Sequence, residues 1–376
     1  MVDIFPTFLY SAMIGMVVLA LIDVVQKVES KQNTFLKALL ALLLLHLFGE
    51  LFIYSGAFVY APGLAGIQFP FRVLLGAVLF GYAHATMSPD KTIDNRLKAI
   101  ALSGPVVVLI VMLPFIFHIS PSEKLALATP DTRDPELWQI AVLTCLSTTA
   151  IFIIYTLLFL GLALRLHNRH RQQLMERFSS IQQRSVDWFK PVLFLWGAVW
   201  LMYAVEFSLK ALGLPLGGFS EALLVLEVVA LALFINKALS QKPLSNADKG
   251  VPQTSKAARS RLLDESQMAA IATKLQSCML KDKLYLEEDL SLNRLSSAIT
   301  ESENHISETL SQFLHTNFFQ FVNSYRVEAA KQLLKDKSKL VTTVAFDVGF
   351  NSKSTFNSAF KKAVGHSPTA YRKQLG

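Results

Sequence analysis

Apolar positions fall in seven long blocks over the first 240 residues, at 4–25, 34–55, 67–87, 97–119, 137–166, 188–212 and 219–239. Each block is near or above the roughly 20 residues that carry a helix across the hydrocarbon core of a bilayer. Beyond residue 260 the pattern changes to short amphipathic stripes. Met268, Ile271, Leu275 and Met279 mark one face of a helix over 264–282. Leu292, Leu295 and Ile299 predict a second helix, and Ile306, Leu310 and Phe313 a third, with Ser302 placed to cap it. Residues 318–335 predict a longer helix, with Phe321, Tyr325, Ala329 and Leu333 at steps of four. Val344, Ala345 and Val348 then share a face, Gly349 breaks the pattern, and Phe356 and Phe360 begin a last stripe. Two helix pairs joined by short turns, with a long helix between them, make two helix-turn-helix units. The expected fold is therefore all-α: a seven-transmembrane helical bundle at 1–240, a flexible linker at 241–263 and a soluble domain at 264–376. Pro243, Gly250 and Pro252 mark the linker.

Charge sets the expected orientation. Lys27, Lys31 and Lys37 lie in or beside the first connection, and Lys91, Arg96 and Lys98 mark the third. Arg165, Arg169, Arg171, Arg177, Arg184 and Lys190 make the fifth the most basic. The second connection has no basic residue, and the fourth sets Lys124 and Arg133 among four acids. Basic loops stay on the cytoplasmic side, so the N-terminus is expected outside and the C-terminal domain in the cytoplasm of a bacterium, with the chain multi-pass in the inner membrane. The first block lacks a basic leader and six more follow, so it is expected as a span and not as a signal peptide.

Composition sharpens the division. Hydrophobic residues make up 52% of the chain and charged ones 17%, with a net charge of +8. Residues 1–240 hold 17 basic and 15 acidic side chains, and residues 241–376 hold 19 and 13. The excess positive charge thus sits in the smaller C-terminal part, as a polyanionic partner would favour. Cys145 and Cys278 fall in different parts and lack metal-ligand spacing. No metal, cofactor or enzymatic activity is expected. The last apolar block has no mid-membrane lysine for a retinal, and no HExxH or paired intramembrane Asp suggests a protease.

Polar side chains inside the blocks are costly and are candidates for function. His46, Glu50 and Tyr54 are spaced i, i+4, i+8 on the second block; Tyr203, Glu206 and Lys210 share a face of the sixth; Arg72 and Glu227 lie on the third and seventh. Two readings are open. His46, Glu50, Tyr54, Arg72, Tyr203, Glu206 and Glu227 line an outward-facing ligand pocket, with Arg72 meeting a carboxylate or an anionic ligand, or they hydrogen-bond the bundle together.

From 264 to 373 the chain resembles the DNA-binding domain of AraC/XylS-family transcription regulators. The resemblance is carried by LSLNRLSSAI at 290–299, YRVEAAKQLL at 325–334, VAFDVGF at 344–350 and FNSAFKKAVGHSPTAYRK at 356–373. It covers under a third of the chain, and Phe356, Phe360, Lys361, Gly365, Pro368, Tyr371 and Arg372 are its most specific part. The resemblance implies two reading heads on double-stranded promoter DNA, entering successive major grooves, with RNA polymerase as a further partner. Carried onto this chain, the first head presents Asn304, His305, Ser307, Glu308 and Gln312, and the second Lys353, Ser354, Thr355, Asn357 and Ser358. Asn and Gln suit adenine, Lys guanine and Thr the thymine methyl. Lys361, Lys362 and Arg372 are expected on phosphates.

Two features depart from the pattern. Thr300 stands where the second unit has Gly349, although a β-branched residue fits positive φ poorly. Glu308 stands at a recognition position often basic in relatives, with Glu301 and Glu303 nearby, and the charge counts agree: residues 264–330 carry 5 basic and 10 acidic side chains, and residues 331–376 carry 9 and 2. Grip on phosphates is therefore expected from the second head. The first reads sequence weakly, through Glu308 and a cytosine amine, or touches RNA polymerase. The expected protein is a membrane-bound one-component regulator that senses a small molecule or a membrane state, with a homodimer possible through the bundle. The alternative is a seven-helix transporter or lipid-acting enzyme with a DNA-binding appendage. A third possibility is release of the soluble domain by proteolysis of the linker.

Overall fold

A computed structural model describes residues 3–182, 184–211, 214, 219–241 and 263–375. The linker expected at 241–263 lies almost wholly outside the described residues. Among these, every regular element is helical, with one isolated antiparallel bridge between Phe178 and Ser291. The chain forms two compact units, Met1–His167 with Asp187–Ser245, and Asn168–Val186 with Asn246–Gly376. A composition-based boundary at residue 240 does not anticipate that 168–186 packs with the C-terminal residues.

The first unit is built from α1 (Ile4–Gln26), α2 (Lys31–Tyr54), α3 (Phe69–Arg72), α4 (Leu74–Met87), α5 (Asn95–Phe117), α6 (Pro121–Leu127), α7 (Pro135–Arg177), α8 (Phe189–Ala211) and α9 (Phe219–Ser240). Seven helical stretches among the described residues are long and apolar enough to cross a membrane. Helix α1 packs on α2 and α9, α2 on α4, and α8 on α9. No more than 44% of any apolar window is buried. Phe8, Leu19, Ile110, Leu143, Ile154 and Phe194 therefore face outward, an apolar surface far larger than water-soluble monomers present. Helix α7 runs to Arg177, past the expected end at 166. No Gly or Pro interrupts residues 162–190 and the stretch is rich in Leu, Arg and Gln, good helix formers. Arg165, Arg169, Arg171 and Arg177 therefore stand on a helix and not in a loop.

The second unit contains α10 (Glu265–Leu280), α11 (Leu292–Ile299), α12 (Glu303–Glu308), α13 (Phe318–Leu333), α14 (Val341–Asp347), α15 (Lys353–Val364) and α16 (Pro368–Gln374). Side chains of Ser291, Ser302, Asn317, Ser352 and Ser367 each accept a first-turn N–H, so the short helices start where Ser or Asn can cap them. Two hydrophobic cores result. Met268, Ile271, Leu275, Leu295, Ile306 and Leu310 form the first with one end of α13, through Phe318, Phe321 and Val322. Val344, Ala345, Val348, Phe350, Phe356 and Phe360 form the second with the other end, through Val327, Ala330 and Leu334. The buried row of α13 is rotated from the expected one. Tyr325, Ala329 and Leu333 are only partly buried, whereas Val322, Arg326 and Ala330 are enclosed, because a helix between two cores must bury more than one stripe.

The two turns solve one backbone problem with different residues. Thr300 takes φ 56° and ψ 44° after α11, and Gly349 takes φ 89° after α14. The left-handed region costs a residue with a Cβ about 1–2 kcal/mol, partly offset in comparison with glycine by the entropy that glycine loses on folding. Thr300→Gly is therefore expected to stabilise the second unit, by about 0.5–1 kcal/mol. Slower hydrogen exchange at α11 amides would show the gain, and faster exchange would contradict it.

Candidate functional site

Helix α15 sets its marked residues opposite a buried aromatic face. Ser352 caps α15, accepting from the Thr355 amide at 3.2 Å, and Phe356 and Phe360 bury the opposite face. Lys353, Ser354, Ser358, Lys361 and Lys362 are exposed, and Thr355 and Asn357 half-buried. Ser354, Ser358 and Lys362 follow one another at i, i+4, i+8, one surface row of a helix. Arg372 also has partners within the fold. Its Nε donates to the Leu334 carbonyl at 3.2 Å and its Nη1 to that of Lys339 at 2.7 Å. Through these two nitrogens the guanidinium ties α16 to the turn before α14.

The first head is differently made. Asn304 is exposed, and His305, Ser307, Glu308 and Gln312 are half-buried. The helix widens after Glu308 into a π turn over Thr309–Phe313, which takes Gln312 out of the α-helical row that begins at Asn304 and Glu308. Glu301, in the turn, accepts from Lys274 of α10 at 2.6 Å and lies 3.6 Å from the His305 ring. The Lys274 hydrogen bond, with His305 adding to it, holds the Glu301 carboxyl below its ordinary range. Asn293 donates to Glu303 at 2.9 Å. These acids thus brace the head internally.

Between the two cores sits Arg326, 0% exposed. Its Nε donates to the Tyr285 carbonyl at 2.7 Å, and its Nη2 to the Glu287 carbonyl at 2.6 Å and the Ser179 hydroxyl at 3.1 Å. Its Nη1 donates to Asn323 at 3.2 Å, and the ring of Phe350 lies 5.5 Å away. Burial pushes the guanidinium pKa down to about 10, against the pull of Asp289 and Glu288, so it stays charged at neutral pH. Ser179 is held twice more: its amide donates to the Leu290 carbonyl at 3.0 Å, and its carbonyl accepts from Asn323 at 3.2 Å. Three residues further on, Gln182 hydrogen-bonds Ser354 of the second recognition helix. Residues 178–182 are therefore built into the second unit from the seam between its cores to the first turn of α15. Sequence patterning did not single out Arg326 or Ser179. The one available signal was an arginine midway along the i, i+4 row of Val322 and Ala330.

In the first unit, all seven polar residues marked as a possible pocket line one cavity of about 220 Å³, and Tyr10, Phe69, Phe152, Trp200 and Lys210 line it with them. Lys210 and Glu206 pair at 2.7 Å, and Ser220 bonds both. Tyr10 and Tyr54 stack, ring centroids 5.5 Å apart. The Arg72 guanidinium lies over the Phe152 ring at 4.3 Å, and no carboxylate among the described residues comes within 4 Å of it. Its buried Nε has no hydrogen-bond partner, nor has Nδ1 of the buried His46, which stands 3.7 Å from Glu50.

Residues 295–374 match the family model of a helix-turn-helix domain. An uncharacterized HTH-type transcriptional regulator of Staphylococcus aureus is 36% identical over 90 residues, which is 24% of this chain and 12% of that protein. The probable transcriptional regulator LumQ of Photobacterium leiognathi is 28% identical over 131 residues, 29% of this chain and 53% of LumQ. Among solved structures, the C-terminal domain of AraT, a response regulator from Geobacillus stearothermophilus, shares 28% identity, covering 31% of this chain and 88% of that one, at a TM-score of 0.25. The C-terminal part of this chain is thus similar to the helix-turn-helix domains of transcriptional regulators. The chain spans about an eighth of the length of the staphylococcal relatives and about half that of LumQ.

Proposed function

We propose that this chain is a membrane-embedded one-component transcription regulator, in which the seven-helix unit senses a ligand and the helix-turn-helix unit binds promoter DNA. The observation that carries the reading is the clamp on Ser179. Residues 168–186, the last turns of α7 and the start of its connection to α8, are folded into the DNA-binding unit around Arg326 and reach Ser354. A change in how α7 and α8 emerge from the bilayer is thereby passed to a recognition helix through a few hydrogen bonds. The basic third and fifth connections support a cytoplasmic DNA-binding unit in the bacterial inner membrane. The contacts of Ser179 with Arg326 and Asn323 favour a unit that acts tethered, since a fragment released by cleavage between 241 and 263 would have to give them up to leave the membrane. The two heads address successive major grooves, with α15 supplying most of the grip.

The test is selection of bound duplexes by the full chain in lipid nanodiscs. Lys353→Ala should cost about 1–3 kcal/mol on the selected site and relax one base position. Lys361→Ala with Lys362→Ala should instead weaken binding to all sequences and lower the salt slope by about 2. Recovery of no preferred sequence, or a slope untouched by the double substitution, would sink the assignment.

A further inference from the structure

The cavity of the first unit says more about its ligand than that one exists. Glu206 is already neutralised by Lys210, and Ser220 is bonded to both. That leaves Glu50 and Glu227 facing the same space, where they repel one another, against the single guanidinium of Arg72, which attracts both from beyond ion-pair distance. Carboxylates therefore outnumber the cations left to meet them. Among the described residues, Glu50 has only the His46 ring at 3.7 Å, and Glu227 only the Tyr203 hydroxyl. Charges so weakly met away from water are costly, and a cation entering between the two carboxylates relieves that cost. The walls favour the same guest. Tyr10, Tyr54, Trp200 and Tyr203 bring aromatic rings to the cavity, and such ring faces attract an ammonium group. A second polar requirement is independent of the first. The orphaned Nε of Arg72 is a donor with nothing to donate to, and buried donors call for acceptors.

We propose that this cavity binds a small organic ammonium compound that also carries a hydrogen-bond-accepting oxygen, with its ammonium between Glu50 and Glu227 and its oxygen at Arg72. The assignment rests on the sensor reading above and gives it a ligand class. At about 220 Å³ the cavity is smaller than the roughly 300–1,000 Å³ of pockets for drug-sized ligands, which points to a metabolite of amino-alcohol or amino-acid size. An anion is the disfavoured guest, because it would enter against two carboxylates with one guanidinium to meet it.

The experiment follows thermal unfolding of the full chain in nanodiscs by tryptophan fluorescence. Three probes keep one ring and vary the charge: phenylalaninol has an ammonium and a hydroxyl, phenethylamine only the ammonium, and 3-phenylpropionate only a carboxylate. Phenylalaninol at a hundredfold excess over its dissociation constant should raise Tm by roughly 5–10 °C. Phenethylamine should bind more weakly, and 3-phenylpropionate should leave Tm unmoved. Glu50→Gln and Glu227→Gln should each weaken both amines at least tenfold. A 3-phenylpropionate shift equal to that of phenylalaninol, no shift from any probe, or glutamine variants that bind amines as well as the parent would overturn the proposal. If the variants fail to fold, the ranking of probes on the unaltered chain decides alone. A promoter reporter with the same variants separates the two readings. Altered reporter output without amine binding defeats the ligand class and leaves the sensor standing. Amine binding with reporter output unmoved in every variant upholds the ligand class and defeats the sensor.

Discussion

Arg326→Ala is expected to destabilise the DNA-binding unit by about 3–5 kcal/mol, the range for removing one partner from a buried, hydrogen-bonded charge site. The guanidinium is wholly buried and satisfies the carbonyls of Tyr285 and Glu287, the Ser179 hydroxyl and the Asn323 side chain. Alanine leaves those acceptors facing a dry void between two cores. Arg326→Lys should recover little, because one ammonium cannot reproduce a planar fork of five donors. Ser179→Ala should cost only about 1 kcal/mol, since the amide and carbonyl of that residue keep their partners. Hydrogen exchange at α13 amides in the full chain measures all three. The ordering matters more than any one value: a serine effect as large as the alanine effect at 326 would mean that the 168–186 segment, and not the carbonyl cage, holds the seam together.

Gly349→Ala is the second large effect, of about 3 kcal/mol or more. Two costs add at this position. The residue takes φ 89°, where a Cβ costs about 1–2 kcal/mol. A Cβ would also stand 2.5 Å from the Tyr285 carbonyl oxygen and 2.8 Å from that of Leu286. Those are backbone atoms, and Tyr285 is the acceptor for Arg326 Nε, so relief would have to push the 284–286 turn off the guanidinium. Gly365 provides the comparison. It has φ 85°, but an added Cβ there meets nothing within 4 Å, so Gly365→Ala should show the conformational cost alone. A difference of about 1.5 kcal/mol or more between the two substitutions, read from chemical denaturation of the full chain, is the expected result. Equal effects would mean that the turn moves freely away from Tyr285.

These two residues show why the sites were unequally legible. Gly349 was visible as a break between apolar stripes, because turns obey local backbone sterics. Arg326 was not, because its partners lie 41, 39 and 147 residues away and no periodicity reports them. Arg372 shows a further limit of reading by residue type. A basic residue near α15 suggested phosphate, and its Nε and Nη1 close on the carbonyls of Leu334 and Lys339. The i, i+4 rows on α2 and α8 placed His46 with Glu50, and Glu206 with Lys210, on common helix faces. Which faces meet around a cavity is a matter of how the helices pack.

By itself, the sequence determined what local physics governs. Apolar length produced seven helices able to cross a membrane, Ser and Asn caps started the short helices, and the turn positions were restricted by the sign of φ. Only the tertiary structure decided which distant groups satisfy one another: the Arg326 cage, the inclusion of 168–186 in the DNA-binding unit, and the gathering of seven polar side chains around one cavity. The reason is common to all three. A buried charge or donor must find partners wherever the fold brings them, and neighbours along the chain do not supply them.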